Sequence, residues 1–345
     1  MYIEAEQGNH TGFSSLLLQG LAENLEANKQ SILLLNRRGH NTFVACRHCK
    51  EVVLCPNCSI SLTYHSANNR LMCHYCGHSE PAYDRCPQCG GIMKHIGTGT
   101  QKVEEELHAL FPGAKVLRMD TDTVGASHGH EKLLRQFEEE KIPILLGTQM
   151  VAKGLDFENV TLVGVLCADA SLYIDNYRAP ERTFSLLSQV VGRAGRGSKQ
   201  GRAIIQTFTP ENEVIRAAAA QDYDAFYESE IRMRRLRRYP PFADLFSFTV
   251  TGADESRVIR AAKALRDALG YAVERREELK PLSIEVLGPA GASVVKVNNR
   301  YRYRVFLVGK GCPALRRLVA EYLYAFYQHK ENRGLDIFAD CNAIQ

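Results

Sequence analysis

The residues with the clearest chemistry are the cysteines, of which this chain of 345 residues has 11. Eight of them form four pairs, each with two residues between its members: Cys46/Cys49, Cys55/Cys58, Cys73/Cys76 and Cys86/Cys89. Two sulfurs at this spacing can lie on one side of a tight turn, at the angle that tetrahedral Zn²⁺ requires. Eight such ligands make two four-cysteine sites, so the spacing predicts two bound Zn²⁺ ions.

The four pairs can be combined into two sites in three ways. We favour the nested combination, in which Cys55/Cys58 join Cys73/Cys76 and the outermost pairs join each other, because residues 59–72 suit a compact hairpin. Redox dithiols and an iron–sulfur cluster are alternatives that fit four successive pairs less well. A four-cysteine zinc site has no open coordination position, so its predicted role is to fold the block.

A second pattern lies at residues 189–197, with the sequence QVVGRAGRG. Gln189, Arg193 and Arg196 recur at intervals of four and three, so a helix would place them on one face. Two guanidinium groups on one face suit a triphosphate, because they are planar and permanently charged. The alternative is a solvated basic face, which leaves Gly192 and Gly195 unexplained, since glycine inside a helix costs about 1 kcal/mol relative to alanine.

The elements that must position these residues alternate between strands and helices. Predicted strands are 31–35, 93–96, 116–119, 142–146, 160–166 and 203–207. Predicted helices are 13–29, a helix that follows the turn 97–100 and runs through residue 110, 131–140 and 182–196. This alternation predicts an α/β domain with a parallel sheet covered by helices on both faces. The cysteine block interrupts the pattern and is expected to be an insertion. The predicted domains are 1–44 with 94–221, the zinc block 45–93, and a small α+β domain at 222–345.

The predicted α+β domain contains a row of basic residues. Arg300, Arg302 and Arg304 alternate with Tyr301 and Tyr303, so a strand would place the arginines on one side and the tyrosines on the other. Such a row could contact phosphates or an acidic protein segment. A solvated edge strand is the alternative.

Composition excludes some classes of protein. The net charge of +4 is only a weak indication of a polyanionic partner. No apolar run is long enough to cross a bilayer, and the first residues do not follow the pattern of a signal peptide. A cytoplasmic protein without membrane contact is therefore expected.

Several motifs resemble those of one helicase family. Residues 189–197 resemble motif VI of superfamily 2 helicases, and residues 146–157 resemble motif V. Residues 33–39 and 97–105 resemble motif IV and the turn after the zinc insert of the bacterial primosomal protein N′ family, the replication-restart helicases. The resemblance implies a RecA-like second motor lobe, an inserted double-zinc module and a small α+β C-terminal domain.

The resemblance also implies roles for individual residues. Arg196 would be the arginine finger that stabilises charge on the transferring phosphoryl group, with Arg193 and Gln189 beside the nucleotide. The resemblance also places Gly154 and Asp156 at the nucleotide and Thr148 and Gln149 at the DNA, where Thr98 and Thr100 could contact the backbone likewise. Thr148 could instead cap the end of its strand. From the basic row, Arg302 is expected to contact DNA or the acidic segment.

The activity implied by the resemblance is that of an ATP-dependent 3′→5′ DNA helicase that binds forked and single-stranded DNA and restarts stalled replication by primosome assembly. Expected partners are the tail of the single-stranded-DNA-binding protein and other primosome proteins. The sequence contains no G-x-x-x-x-G-K-[ST] motif and no D-E-x-H motif. These would belong to a first motor lobe that also binds ATP and Mg²⁺, so this chain alone is expected to be inactive as an ATPase. The alternative is a zinc-ribbon DNA-binding adaptor without motor activity.

Overall fold

The structure is a computed structural model. It describes all residues except 2, 3, 5, 7, 10, 37–42, 47, 50, 59, 66–68, 74, 75, 97–99, 120–128, 149–156, 175, 193–200, 344 and 345. The chain divides into two compact units, 1–40 with 97–230 and 41–96 with 231–345. The cysteine block therefore groups with the C-terminal residues, while the predicted domain boundaries stay predictions.

The helices described are α1 Ser15–Glu26, α2 Thr100–Leu110, α3 Gly129–Glu139, α4 Ala179–Val191, α5 Glu213–Ala220, α6 Tyr223–Leu236, α7 Glu255–Arg275 and α8 Pro313–Gln328. The strands described are β1 Gln30–Leu35, β2 Phe43–Cys46, β3 Thr63–His65, β4 Arg70–Met72, β5 Ser79–Pro81, β6 Met93–Ile96, β7 Val116–Met119, β8 Ile144–Gly147, β9 Val160–Leu166, β10 Arg202–Ile205, β11 Asp244–Gly252, β12 Glu285–Val297, β13 Arg300–Gly309 and β14 Asp336–Cys341.

The first unit is built on a five-stranded parallel sheet in the order β10-β9-β1-β8-β7. All six residues of the central strand β1 are buried, as expected for a parallel strand that is covered on both faces. Leu33 and Leu35 contribute to one apolar cluster, and Ile32 and Leu34 contribute to another. The α/β fold predicted from the alternation of elements is confirmed.

The cysteine block forms a small antiparallel sheet in the order β5-β4-β3-β2-β6. Its strands have only three or four residues each. The strand at 93–96, which the sequence grouped with the parallel strands, instead pairs with β2, with Cys46 opposite Met93. This grouping was wrong because β6 follows the last cysteine pair and pairs with the strand that leads into the first pair, so the two strands form the base of the block.

The C-terminal residues form a four-stranded antiparallel sheet in the order β12-β13-β11-β14. Helices α7 and α8 contribute to its apolar core, which includes Phe248, Val305 and Leu318. The predicted α+β character is confirmed. Strand β12 is long, from Glu285 to Val297, and strand β14 forms the other edge of the sheet.

Candidate metal centres and the edge of the parallel sheet

The structure brings the eight paired cysteines together in two groups. We name Cys46, Cys49, Cys86 and Cys89 the outer cluster, and Cys55, Cys58, Cys73 and Cys76 the inner cluster. Within each cluster all four sulfur atoms lie within 4.8 Å of one another. This is the nested combination that the sequence favoured.

All four cysteine pairs are held by the same local loop. In each, the first cysteine donates its backbone N–H to the carbonyl five residues ahead, over 2.8–2.9 Å. The third and fourth loops contain Gly77 and Gly90, which have φ values of +74° and +69°. Glycine accepts this left-handed conformation without strain, so each of these two loops can turn sharply after its second cysteine.

The distances between sulfur atoms suit tetrahedral coordination. Sγ of Cys46 lies 3.4 Å from Sγ of Cys89, and Sγ of Cys55 lies 3.6 Å from Sγ of Cys76. With Zn–S bonds of about 2.3 Å, the sulfurs of a tetrahedral site are about 3.8 Å apart. All eight are free thiols. The clusters therefore fit Zn²⁺, and four sulfur ligands leave no position for a reacting water.

The two clusters differ in exposure. Cys46 and Cys86 of the outer cluster are buried, but Cys49 and Cys89 are exposed. In the inner cluster only Cys76 has partial exposure. The inner site is thus the more enclosed of the two.

Hydrogen bonds from backbone N–H groups lower the pKa of one cysteine in each cluster and so favour its thiolate, the form that binds metal. The N–H groups of Cys49 and His48 donate to Cys46 and lower its pKa to about 6. Burial alone would raise the pKa of Cys76, but the N–H of His78 and the neighbouring thiols lower it to about 7. Burial raises the pKa of Cys55 to about 12. Because Cys55 is protonated at neutral pH, a metal that binds the inner cluster must displace its proton.

A second candidate site lies along the carboxyl edge of the parallel sheet. Leu34 of β1 pairs with Gly147 of β8, so these strands end side by side. Asn36 and Thr148 follow them directly. Ligands of open α/β sheets bind at this edge, because the loops after parallel strands all emerge there.

A buried polar network connects this edge to helix α4. The Asn36 side chain is fully buried and donates to the carbonyl of Ala168 and to Oγ of Ser171, each over 2.9 Å. The Ser171 hydroxyl lies 2.8 Å from that of Thr183, which donates to the carbonyl of Ala179 at the start of α4. The network fixes α4 against the ends of β1 and β9. Sequence reasoning missed Ser171 and Thr183, which lie in no recognisable motif.

Asp169 fastens the loop after β10. Its carboxylate accepts hydrogen bonds from the hydroxyls of Thr207 and Thr209, both over 2.6 Å, and from the N–H of Phe208. Burial alone would raise the pKa of Asp169, but these three donors lower it below its usual value. The carboxylate is therefore the stable form at this position.

The predicted basic row occupies one side of β13. Tyr301 and Tyr303 pack against the apolar core on the other side. Arg300 is bonded to Thr251 and Asp336. Arg302 is partly exposed and makes no ion pair with any residue that the structure describes.

Known protein families match three parts of the chain. Residues 55–81 match the PriA DNA helicase Cys-rich region, residues 96–198 the helicase conserved C-terminal domain, and residues 235–342 the primosomal protein N C-terminal domain. The replication restart protein PriA of Bacillus subtilis is 42% identical over 98% of this chain. That of Synechocystis is 41% identical over 89% of it. This chain belongs to the PriA family.

The chain spans 41% and 37% of the lengths of these two PriA relatives. Among solved structures, it is similar to S. cerevisiae Dbp5 bound to RNA and ADP BeF3, with a TM-score of 0.31 and 12% identity over 66% of this chain and 43% of that one. The PriA Cys-rich region matches the segment that contains the whole inner cluster.

Only part of the predicted motor site lies among the described residues. Gln189 is exposed on α4, whose other side buries Phe184 and Leu187. The helix predicted to reach residue 196 ends at Val191, and Gly192 is its C-terminal cap. The predicted residues that lie outside the described part of the chain are Arg193, Arg196, Gly154, Asp156, Gln149 and Thr98.

Besides Arg302, two residues predicted to contact DNA are described. Thr148 is partly exposed at the end of β8. Thr100 begins α2 and is only 9% exposed. Their roles stay predictions. Among the described helices, none has both the length and the apolar character needed to cross a membrane.

Proposed function

We propose that this chain is the second motor lobe, the zinc-binding block and the C-terminal domain of an ATP-dependent 3′→5′ DNA helicase that restarts stalled replication forks. The main support is the parallel sheet whose carboxyl edge is joined to α4 by the network of Asn36, Ser171 and Thr183. Three of the five strands of this sheet, β7, β8 and β9, lie within the segment that matches the helicase conserved C-terminal domain.

In this proposal, ATP binds between the sheet edge and a first motor lobe that supplies the phosphate-binding loop and holds Mg²⁺. Arg196 stabilises the charge that develops on the transferred phosphoryl group, and Arg193 and Gln189 contact the nucleotide beside it. Gly154 and Asp156 complete the nucleotide contacts. The buried network has the role of holding α4 rigid, so that Gln189 and the arginines that follow it are positioned before ATP arrives.

DNA contacts are proposed at the same lobe and at the C-terminal sheet. Thr148, Gln149, Thr98 and Thr100 donate hydrogen bonds to backbone phosphates, which position the strand without reading its sequence. Arg302 contacts either DNA phosphates at a fork or the acidic tail of the single-stranded-DNA-binding protein. The two zinc sites keep the block folded, and primosome proteins assemble on the bound fork in the cytoplasm.

The decisive experiment measures ATP hydrolysis by this chain joined to a first motor lobe, with and without forked DNA. We expect strong stimulation by the fork and a loss of about 1,000-fold or more in Arg196→Ala, the range for arginine fingers. Arg216→Ala, which changes an exposed arginine on α5, is the matched control and should hydrolyse ATP normally. Stimulated hydrolysis that survives Arg196→Ala would contradict the motor assignment.

A zinc-ribbon DNA-binding adaptor is the second candidate. Fork binding by the two-lobed protein without any stimulated hydrolysis would favour it. For Arg302→Ala we expect weaker binding to forked DNA or to the acidic tail. The number of counterions released on DNA binding, measured from the dependence of affinity on salt concentration, should fall by about one. Lys263→Ala, on the exposed side of α7, is the control. Unchanged affinity for both partners would remove Arg302 from the proposal.

A further inference from the structure

The turn between β12 and β13 lies against the inner cluster. It consists of Asn298 and Asn299, whose φ values are 52° and 58°. Two successive residues with positive φ are typical of a tight two-residue hairpin turn, and asparagine tolerates this conformation better than most residues. The turn projects two backbone N–H groups away from the strands that it connects.

Both N–H groups donate hydrogen bonds to the loop that carries Cys58. The N–H of Asn298 lies 3.3 Å from Sγ of Cys58, and the N–H of Asn299 lies 2.7 Å from the carbonyl oxygen of Asn57. The side-chain amide of Asn299 also donates to Oδ1 of Asn57 over 3.1 Å. The bond to Cys58 spans 240 residues of chain and reaches a proposed metal ligand directly.

A positive charge and an apolar contact accompany these bonds. Nζ of Lys296 donates to the carbonyl of Pro56 over 3.2 Å. Val297 packs against the apolar cluster of the cysteine block, to which Cys55 and Cys58 belong. Four thiolates and one Zn²⁺ carry a net charge of −2, so a nearby ammonium group and N–H donors to sulfur both stabilise the metal-bound form.

The outer cluster has a different environment. The backbone donors to Cys46 are His48 and Cys49, and Glu51 donates to Cys49. All three belong to the loop of the same cysteine pair. In the part of the chain that the structure describes, only the inner cluster receives a hydrogen bond from the C-terminal sheet.

We infer that the β12–β13 turn forms an outer shell of the inner metal site, so that metal binding there and docking of the C-terminal sheet on the cysteine block stabilise each other. Groups that hydrogen-bond to metal ligands typically change metal affinity by about 10–100-fold. The coupling is reciprocal, because one free energy links the two events. If Arg302 contacts DNA, which rests on the proposed function, the same turn also fixes that contact relative to the inner site.

The test uses Cd²⁺ in place of Zn²⁺ and needs neither DNA nor ATP. A ¹¹³Cd NMR spectrum should contain two signals, and Cys73→Ser identifies the inner one by its loss. Asn298→Pro removes the N–H donor and also replaces the positive φ by a negative one, while Asn298→Gly keeps the N–H and permits the positive φ. We expect Asn298→Pro to shift only the inner signal and to weaken Cd²⁺ binding there by about tenfold, with Asn298→Gly within about twofold of the parent protein.

A milder variant controls for the disruption of the turn backbone that proline causes. Lys296→Met removes the ammonium group but leaves the turn backbone intact, and we expect selective weakening of the inner site by a few-fold. Unchanged inner-site affinity in both Asn298→Pro and Lys296→Met would overturn the inference. Equal weakening of both clusters would also overturn it, because that result means general loss of structure.

The reciprocal experiment follows hydrogen exchange in the turn. Loss of the inner metal in Cys73→Ser should accelerate exchange of the amides of Asn298 and Asn299 by about tenfold relative to Cys89→Ser, which removes an outer ligand. The same exchange rate in both variants would contradict the coupling.

Discussion

The cysteine block and the parallel sheet are ordered by different forces. In the sheet, every residue of β1 is buried, and large aliphatic side chains fill the cores on both faces. In the block, the strands are short and half of the ten residues in the buried cluster are cysteines. A segment with so little apolar material cannot offset its loss of conformational entropy by burial alone. We therefore predict that metal ligation takes the place of a large hydrophobic core in the cysteine block.

Removal of the metals should have the largest effect. With a strong chelator, we expect residues 43–96 to lose their structure, because each structural zinc site contributes about 10–16 kcal/mol to folding. The parallel sheet should remain folded. Hydrogen exchange followed by mass spectrometry checks this, with peptides that contain β3 and β4 becoming unprotected while those of β1 and β9 stay protected.

Single cysteine variants provide the controls for this prediction. Cys58→Ser should lower the zinc content from two ions per chain to one, whereas Cys341→Ser changes an exposed cysteine outside both clusters and should keep two. If the cysteine block stays protected from hydrogen exchange after complete metal removal, its folding does not depend on metal, and the proposed difference from the parallel sheet is wrong.

A cavity in the core of the parallel sheet should have an intermediate effect, which lowers the stability of the sheet unit and leaves the zinc sites intact. Leu33 is fully buried, and Leu33→Ala should lower the free energy of unfolding by about 2–5 kcal/mol while leaving the zinc content unchanged. Leu16→Ala on α1 alters a leucine that is 54% exposed and should change stability by less than about 0.5 kcal/mol. Urea unfolding and metal analysis of both variants are the measurements, and zinc loss in Leu33→Ala would show that the two regions are not independent.

The smallest expected effect concerns a polar contact in the sheet unit. Asp169→Asn should destabilise the protein by about 1–3 kcal/mol at neutral pH, because it disturbs three partly buried hydrogen bonds. The folded pKa of Asp169 is lowered, so its carboxylate stabilises the fold above the usual value of 3.8, and this contribution is lost as the pH falls through the lowered value. The difference between variant and parent should therefore shrink in acid.

Urea unfolding at pH 7 and pH 3 tests this dependence. Glu211→Gln changes an exposed carboxylate and should show no such difference between the two pH values. An Asp169→Asn effect that is as large in acid as at neutral pH would contradict the role assigned to the carboxylate.

Local spacing was sufficient to predict much of the molecule. Each cysteine pair lies in a loop closed by a hydrogen bond over five residues, so the ligand geometry is encoded in a few consecutive positions. The apolar run of β1 likewise predicts a buried parallel strand, since a strand covered on both faces needs no polar alternation. The four cysteine pairs, the parallel sheet and the tyrosine–arginine alternation of β13 could all be predicted from the sequence for this reason.

Contacts between distant residues were decided only by the tertiary structure. The pairing of strand β6 with β2, the hydrogen bonds from Asn36 to Ala168 and Ser171, and the hydrogen bond from Asn298 to Cys58 join residues that are 47 to 240 positions apart. No local pattern specifies such contacts, because they depend on which surfaces meet after the elements have packed. The sequence by itself determined which residues can bind metal, and the tertiary structure determined which distant backbone group donates a hydrogen bond to a cysteine of one of the two sites.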